Sequence, residues 1–187
     1  MKPLPKLLFA LAAVAALSIA YPAKANLITN SGFELGTTGW NFSNGASWAP
    51  GAGAHSGVAY GFMPSAGANS PTIAQSVATT AGASYTISFF VACAASIPSN
   101  LAVNFGGTIF NHLFPAGNNG YTQFSFTATA SGANTNLSFV GGGVASFRLD
   151  DVSVEPAGVG VPDGGTTVSL LGCALLGLAC LRRRLTC

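Results

Sequence analysis

Charged residues are scarce in this sequence, since Asp, Glu, Lys and Arg together make up 6% of it. Most of the positive charge lies at the two ends of the chain. Between residues 26 and 162 the charged residues are one arginine and four acids: Arg148, Glu34, Asp150, Asp151 and Glu155. This central region therefore carries a charge of about −3 and has no basic patch. Nucleic acid is not expected as a partner, because its phosphates are bound by clustered Lys and Arg.

Cysteine is equally scarce in the central region. Of the 4 cysteines in the chain, only Cys93 lies there, so no disulfide can form within it. Cys173 and Cys180 belong to an apolar stretch near the C-terminus, and Cys187 is the last residue. Cys93 falls in an apolar run and is expected to be a core residue.

The residues that common catalytic sites require are also missing. His55 and His112 are the only histidines, and no Gly-x-Ser-x-Gly motif is present for a serine hydrolase. Two histidines without a close His, Cys or Glu make a weak transition-metal site. A glycosidase needs two carboxylates on either side of the scissile bond. The sequence therefore predicts a protein that is not an enzyme, with both histidines in loops.

The N-terminus has the three parts of a secretory signal peptide. Lys2 and Lys6 form a basic start, Leu7 to Ala20 is uncharged and mostly apolar, and Ala23-Lys24-Ala25 places small residues at the cleavage position. Cleavage after Ala25 is expected, so residues 1–25 are assigned to the signal. An uncleaved membrane anchor is the alternative, which the short apolar run disfavours.

The C-terminus contains a second targeting segment. It opens with a five-residue motif: Val161, Pro162, Asp163, Gly164 and Gly165. An uncharged stretch up to Leu181 follows, which as a helix would just span a membrane. Three arginines close it: Arg182, Arg183 and Arg184. Such a cluster stays in the cytoplasm and leaves the rest of the protein outside, whereas a buried C-terminal helix, the alternative, would not end on three charges.

The motif, apolar stretch and basic tail together resemble the PEP-CTERM class of sorting signals, in its VPDSG variant with Gly164 in place of serine. In that class an exosortase recognises the signal in Gram-negative bacteria, and the protein reaches the cell surface or the extracellular matrix. The resemblance covers Val161 to Cys187. It implies an exosortase-type partner, a transient membrane anchor and a destination, but no activity.

The central region shows a period of two in its apolar residues, which indicates β-strands. Strands are predicted at Leu27–Ser31, Val58–Met63, Thr72–Val77, Tyr85–Cys93, Leu101–Phe105 and Tyr121–Thr127, around Leu137 and Phe139, and around Val152 and Val154. No segment has a helical period. The prediction is an all-β, two-sheet jelly-roll sandwich over residues 26–155, followed by a linker at 156–162 and the sorting signal with its transmembrane helix at 163–187.

Three motifs of the central region resemble those of galactose-binding-like jelly rolls, including carbohydrate-binding modules. The first is Asn26–Glu34, ending in Gly-Phe-Glu, with Gly39-Trp40 after it. The second is Ile73–Val77 with Ala81–Phe90, and the third is Leu149–Val154, which contains the two aspartates. The resemblance implies that the first and last strands lie side by side and that Trp40 is a core residue.

In such modules the acidic residues of these two strands often hold a structural calcium ion, which implies that role for Glu34 and for Asp150 or Asp151. Close carboxylates repel one another unless a cation or hydrogen bonds neutralise them, and calcium prefers carboxylate and carbonyl oxygens. The alternative is that the acids are solvated turn residues. A period of two places Asp150 on the face of Val152, and a bulge would exchange the two aspartates.

A sugar-binding site is expected to combine aromatic rings, which stack on sugar C–H faces, with amides that pair with hydroxyls. The candidate residues are Trp48, Tyr60, Phe90, Asn104 and Gln123. Phe90, Asn104 and Gln123 are expected on the outward face. Two functions remain: an exported, surface-located module that binds polysaccharide, or a structural or adhesive protein of a surface layer or matrix with no specific small ligand.

Overall fold

A computed structural model describes residues 25–65, 69–117 and 119–158. The signal peptide up to Lys24 and the sorting signal predicted at 163–187 lie outside these residues. Within them, no helix is long and apolar enough to cross a membrane. The chain divides into two units at Pro156, and the fold below is that of the described residues up to Pro156.

Ten antiparallel strands form two five-stranded sheets, which confirms the all-β jelly-roll sandwich. Sheet A has the strand order β1-β4-β9-β6-β7, and sheet B has the order β2-β3-β10-β5-β8. The strands are β1 Asn41–Ser43, β2 Ser47–Pro50, β3 Ala59–Met63, β4 Thr72–Ala78, β5 Ser84–Ala94, β6 Ser99–Phe105, β7 Thr108–Phe114, β8 Tyr121–Thr129, β9 Asn134–Gly141 and β10 Ser146–Pro156.

Seven of these strands match the segments predicted from the period of two, although β3 begins one residue after the predicted start at Val58. The strand predicted at Leu27–Ser31 is wrong, because residues 29–31 form a turn. The segment still lies beside the last strand as the resemblance implied: Leu27 N donates to Val154 O at 2.9 Å and Val152 N donates to Ser31 O at 3.0 Å. The missed strands are β1, β2 and β7. The first two are very short, and β7 directs a histidine inward, so its period was not apparent.

The core lies between the sheets and is built from the inward residues of each strand. It is rich in phenylalanine, and Phe89 contacts Phe139 of the opposite sheet with ring centroids 5.1 Å apart. Cys93 is fully buried as predicted, and burial raises the pKa of its thiol. No buried side-chain nitrogen or oxygen lacks a hydrogen-bond partner in the described part of the chain.

The Gly-Phe-Glu segment enters the core through an unusual backbone. Asn30 and Phe33 both have positive φ, at 56° and 60°, which is uncommon outside glycine. Phe33 is fully buried and stacks on Trp40 at 4.9 Å, and the Trp40 indole N–H donates to Asn30 O at 2.9 Å. Trp40 is thus the core residue that was expected. This anchoring holds the next residue, Glu34, at the surface.

A bulge in β10 places the two aspartates. The pairing with β5 shifts between Asp150 and Ser153, and Asp151 has a φ of 46°. Asp150 lies opposite Phe90, an outward residue of β5, whereas Val152 points into the core. Asp150 and Val152 therefore lie on opposite faces. Of the two arrangements that the sequence left open, the structure has the bulge, whose extra residue reverses the alternation.

Candidate functional site

The outer face of sheet B carries three of the predicted ligand-binding residues. Phe90 on β5 lies opposite Gln123 on β8, with Asp150 of β10 on its other side. Tyr60 projects outward from β3, since its neighbours Ala59 and Gly61 are buried. The sheet therefore brings Tyr60, Phe90 and Gln123 to one surface, as the alternation predicted for Phe90 and Gln123.

A loop of this chain, Gly51–Gly57, lies on that surface; we call it the 51–57 loop. The His55 ring stacks on Phe90 with centroids 3.8 Å apart and an angle of 16° between the planes. Its edge meets Tyr121 at 5.2 Å, and the Tyr121 hydroxyl donates to Gly53 O at 2.8 Å. The face of Phe90 that a sugar would need is thus occupied by His55.

Asp150 fixes this loop from below. Its side chain has no exposed surface. One carboxylate oxygen accepts the backbone N–H groups of His55 at 2.7 Å and Ser56 at 3.2 Å, and the other accepts that of Asp151 at 2.8 Å. Burial raises the pKa of Asp150, and these three hydrogen bonds oppose that rise.

The other two acids bind the same loop and its continuation. Asp151 Oδ2 lies 2.7 Å from His55 Nδ1, and its Oδ1 accepts the Ser56 hydroxyl at 2.7 Å. Glu34 Oε1 accepts the backbone N–H groups of Val58 at 2.9 Å and Ala59 at 3.0 Å. Glu34, Asp150 and Asp151 therefore all accept hydrogen bonds from the protein.

Most carboxylate oxygens of Glu34, Asp150 and Asp151, which we call the trio, accept hydrogen bonds from the protein in this arrangement. The three acids do converge, because a Cβ placed on Gly32 would lie within 4 Å of atoms of Glu34, Asp150 and Asp151. However, Glu34 Oε2 is the one oxygen of the trio with no hydrogen bond to the described residues. Among those residues, no group of three or more His, Cys, Asp or Glu is placed to hold a metal. Hydrogen bonds from the protein thus offset part of the repulsion among the three acids, and the calcium site stays a prediction.

The outer face of sheet A has a different character. Its outward positions on β1, β4, β6, β7 and β9 hold amides, hydroxyls and aliphatic groups: Asn41, Ser43, Thr72, Ala74, Ser76, Asn100, Ala102, Asn104, Ile109, Asn111, Leu113, Asn136, Ser138 and Val140. None of these is charged or aromatic. No described loop is hydrogen-bonded across their side chains as the 51–57 loop is across sheet B.

A pocket of about 410 Å³ lies at one end of this face, lined by Asn104, Gly106, Gly107, Ser131 and Asn136. Gly106 and Gly107 form the turn between β6 and β7 with φ of 60° and 90°, values that glycine adopts without steric cost. Asn104 Oδ1 accepts the Gly107 N–H at 3.2 Å, which leaves the Asn104 NH₂ group without a described protein acceptor. The pocket therefore presents amide and hydroxyl groups and no charge.

The two remaining residues that were predicted to bind a ligand, Asn104 and Trp48, lie away from Phe90 and Gln123. Asn104 does not share a face with Phe90 and Gln123, because β6 belongs to sheet A and β5 and β8 to sheet B. Trp48 faces Gly61 across β2 and β3 and packs against the core, and its indole N–H donates to Phe33 O at 2.8 Å. It is therefore attached to the core rather than displayed on either outer face.

Three residues of this surface were not predicted as site residues: His55, Tyr121 and Arg148. His55 lies in a loop as expected, but its partners are far away in sequence, so no local pattern reveals them. His112, also predicted in a loop, lies in β7 with its ring 4.4 Å from that of Phe124. Its position in the sandwich follows from pairing with β6 rather than from its own sequence.

Comparison with solved structures supports the fold. The Family 16 Carbohydrate Binding Module-2 aligns over 69% of this chain and 99% of its own, with a TM-score of 0.52 and 18% identity. The CBM22-1 xylan-binding domain from Paenibacillus barcinonensis Xyn10C aligns over 74% and 98%, with a TM-score of 0.54 and 19% identity. At these identities the likeness concerns the fold. No curated protein sequence matches the chain significantly.

Comparison with family models supports the sorting signal. Residues 160–185 match the VPDSG-CTERM motif, which confirms the resemblance of the C-terminal segment and indicates an exported, surface-sorted protein. The match does not extend to the strands. The chain thus joins a VPDSG-CTERM sorting motif to a jelly-roll domain with the fold of carbohydrate-binding modules.

Proposed function

We propose that this protein is a non-catalytic, surface-located carbohydrate-binding protein, and that a neutral polysaccharide binds on the outer face of sheet A. The observation that carries the proposal is the uncharged pocket of about 410 Å³ at the end of that face, lined by Asn104, Ser131 and Asn136. The fold shared with carbohydrate-binding modules supports it.

The chemistry of the pocket suits sugar hydroxyls. A carboxamide offers two donors and an acceptor, and a serine hydroxyl offers both roles, so each can pair with a hydroxyl that also donates and accepts. A pocket of this size lies within the usual range for small ligands, about 300–1,000 Å³. Because no aromatic side chain points outward from the described strands of sheet A, we expect weak contacts that add along a polymer rather than tight binding of one sugar.

The acids support a non-catalytic role. Hydrolysis of a glycosidic bond needs one carboxyl group to donate a proton and a second to act as base or nucleophile. Glu34, Asp150 and Asp151 instead accept backbone and side-chain donors around the 51–57 loop. Glu155 accepts the Ser153 hydroxyl at 3.1 Å. Together with exosortase-dependent sorting, this favours a protein that binds the cell's surface or matrix polysaccharide.

The test is affinity electrophoresis of the full chain, purified in mild detergent, through gels that contain different neutral polysaccharides. We expect at least one polymer to retard the protein, and the double variant Asn104→Ala/Asn136→Ala to weaken retardation about tenfold, the effect of about 1.4 kcal/mol. The matched control is Thr86→Ala/Ser125→Ala, which removes outward side chains from sheet B. Equal retardation of both variants, or a loss in the control alone, would show that the face of sheet A is not the site.

The second candidate is a structural or adhesive role. Its specific support is on the edge strand β7, where Ile109 and Leu113 are 60% and 64% exposed and point outward. Exposed apolar residues on an edge strand favour association between proteins. If the folded wild-type chain binds no polysaccharide and forms concentration-dependent oligomers that Ile109→Lys prevents, this role replaces the first.

A further inference from the structure

We propose a second binding site, on the outer face of sheet B, that takes the carboxylate of an acidic sugar such as a uronic acid residue. It consists of Phe62, Arg148, Tyr121 and Gln123, which we call the Arg148 shelf. The shelf lies beside the area that the 51–57 loop covers, and it shares no residue with the pocket on sheet A. It is therefore independent of the proposed function.

The shelf is built from neighbouring strands in register. Arg148 on β10 lies opposite Phe62 on β3 and opposite Ala92 on β5, and Ala92 lies opposite Tyr121 on β8. The Arg148 guanidinium carbon is 5.7 Å from the centroid of the Tyr121 ring. To reach that ring the side chain must cross the small Ala92, which explains why Ala92 is outward-facing and yet has no exposed surface. A flat cation thus lies along the face, held by an aromatic ring.

The Arg148 guanidinium has N–H donors that make no hydrogen bond to the described residues. Another of its donors, on Nη2, bonds to Asn119 O at 3.1 Å. Arg148 makes no salt bridge with the described residues, where the one close contact of a basic side chain with a carboxylate joins His55 to Asp151. A guanidinium carries five N–H donors in a planar fork that matches a carboxylate. Arg148 is also the one Lys or Arg between residues 26 and 162, so an anionic ligand has no other cation to bind there.

The neighbours of Arg148 favour a sugar over a small inorganic anion. Phe62 is partly exposed on one side of it, and Gln123 is exposed next to Tyr121 on the other. The Tyr121 hydroxyl is bound to Gly53 O and its ring contacts the guanidinium, so the ring that remains open to a sugar is that of Phe62. Aromatic rings pack against sugar C–H groups, and an amide pairs with hydroxyls, while the guanidinium takes the carboxylate.

The two nearby aspartates do not remove this site. Asp150 is buried and accepts three N–H groups, and Asp151 is held by His55 and Ser56. Their charge, and the charge of about −3 on the whole domain, oppose the approach of a polyanion but are screened beyond about 8 Å at physiological ionic strength. Binding therefore depends on direct contact with Arg148 and not on long-range attraction.

Polygalacturonate and its fully methyl-esterified form test the proposal, because they differ in the carboxylate alone. With the full chain in mild detergent, we expect the acid form to bind at least tenfold more tightly by titration calorimetry. Arg148→Gln should abolish this preference, and Arg148→Lys should weaken it by a smaller factor, since lysine keeps the charge but loses the fork. Thr86→Ala/Ser125→Ala, which removes outward side chains of the same sheet away from Arg148, should leave the preference unchanged.

Equal binding of the two polymers, or an unchanged preference in Arg148→Gln, would overturn the proposal. Circular dichroism and the melting temperature show whether each variant is folded. If Arg148→Gln does not fold, Arg148→Lys and Gln123→Ala decide the matter: the preference must fall in the former, and the latter must weaken binding of the acid form. If Arg148→Lys and Gln123→Ala both kept the wild-type preference for the acid polymer, the proposed site would be refuted.

Discussion

The two outer faces of this sandwich are made by the same alternation of side chains but serve different purposes. On sheet B, the 51–57 loop stacks His55 on Phe90 and is hydrogen-bonded to Asp150 and Asp151. On sheet A, no described loop is bonded across the strands, and the outward side chains are neutral amides, hydroxyls and aliphatic groups. Buried charges need donors that hold them, whereas neutral amides can face water without any. The closed face of sheet B is therefore expected to determine stability, and the open face of sheet A to tolerate change.

The largest expected effect is at Asp150, on the closed face. Asp150→Ala leaves three backbone N–H groups without their acceptor and should lower the free energy of unfolding by about 3 kcal/mol. Urea denaturation measures it. Asn104→Ala on the open face should cost less than about 0.5 kcal/mol, as surface substitutions usually do. Similar losses for the two variants would remove the distinction between the faces.

How far the sequence predicts this distinction can be judged from single residues. The period of two correctly identified Phe90, Gln123 and Asn104 as outward residues of strands. It could not assign them to sheets, because that depends on the pairing of β5 with β8 and of β6 with β9, which join residues distant in sequence. The face shared by all three was therefore predicted wrongly, although each orientation was right.

The closed face was the harder one to predict. The sequence allows a bulge at the aspartates, but its position at Asp151 follows from the contacts of Val152 N with Ser31 O and of Asp150 with the loop. The 51–57 loop itself contains Gly, Ala, His and Ser, a composition that indicates a loop and nothing about what it covers. The stacking of His55 on Phe90 joins residues that no local pattern connects. The resemblance implied that Glu34 lies near the two aspartates, as it does, but it gave no indication of the hydrogen bonds that each acid makes.

An intermediate effect is expected from a matched pair of glycines. Gly57, next to the closed face, has a φ of 63°, and Gly107, in the open pocket, has a φ of 90°. A Cβ at Gly57 would collide with the Glu34 carboxylate, whereas at Gly107 it would meet no atom within 4 Å. Both alanine variants suffer the backbone strain, about 1 kcal/mol, and Gly57→Ala adds the cost of displacing Glu34, about 1–2 kcal/mol.

Thermal or urea unfolding of the two glycine variants isolates the loss of stability that comes from displacing Glu34, since the backbone strain is common to both variants. Gly107→Ala should also be used in the polysaccharide assay, where its methyl group would intrude into the pocket without affecting the fold. If Gly57→Ala and Gly107→Ala lose the same stability, Glu34 is not held in place, and the closed face is looser than its hydrogen bonds suggest.

The smallest expected effect concerns calcium. Stabilisation by an ion requires that it bind the folded state better than its existing partners do. In the trio, Glu34 Oε1, both oxygens of Asp150 and both of Asp151 already have protein partners within 3.2 Å, so an ion could use only Glu34 Oε2 and the remaining lone pairs. We therefore expect 1 mM calcium, compared with excess chelator, to change the melting temperature by less than about 1 °C, where 1 kcal/mol would shift it by about 4 °C.

A clear rise in melting temperature that Glu34→Gln abolishes and Glu155→Gln preserves would show instead that calcium binds the trio. The trio would then rearrange around an ion, and the closed face would be stabilised by calcium rather than by the 51–57 loop alone.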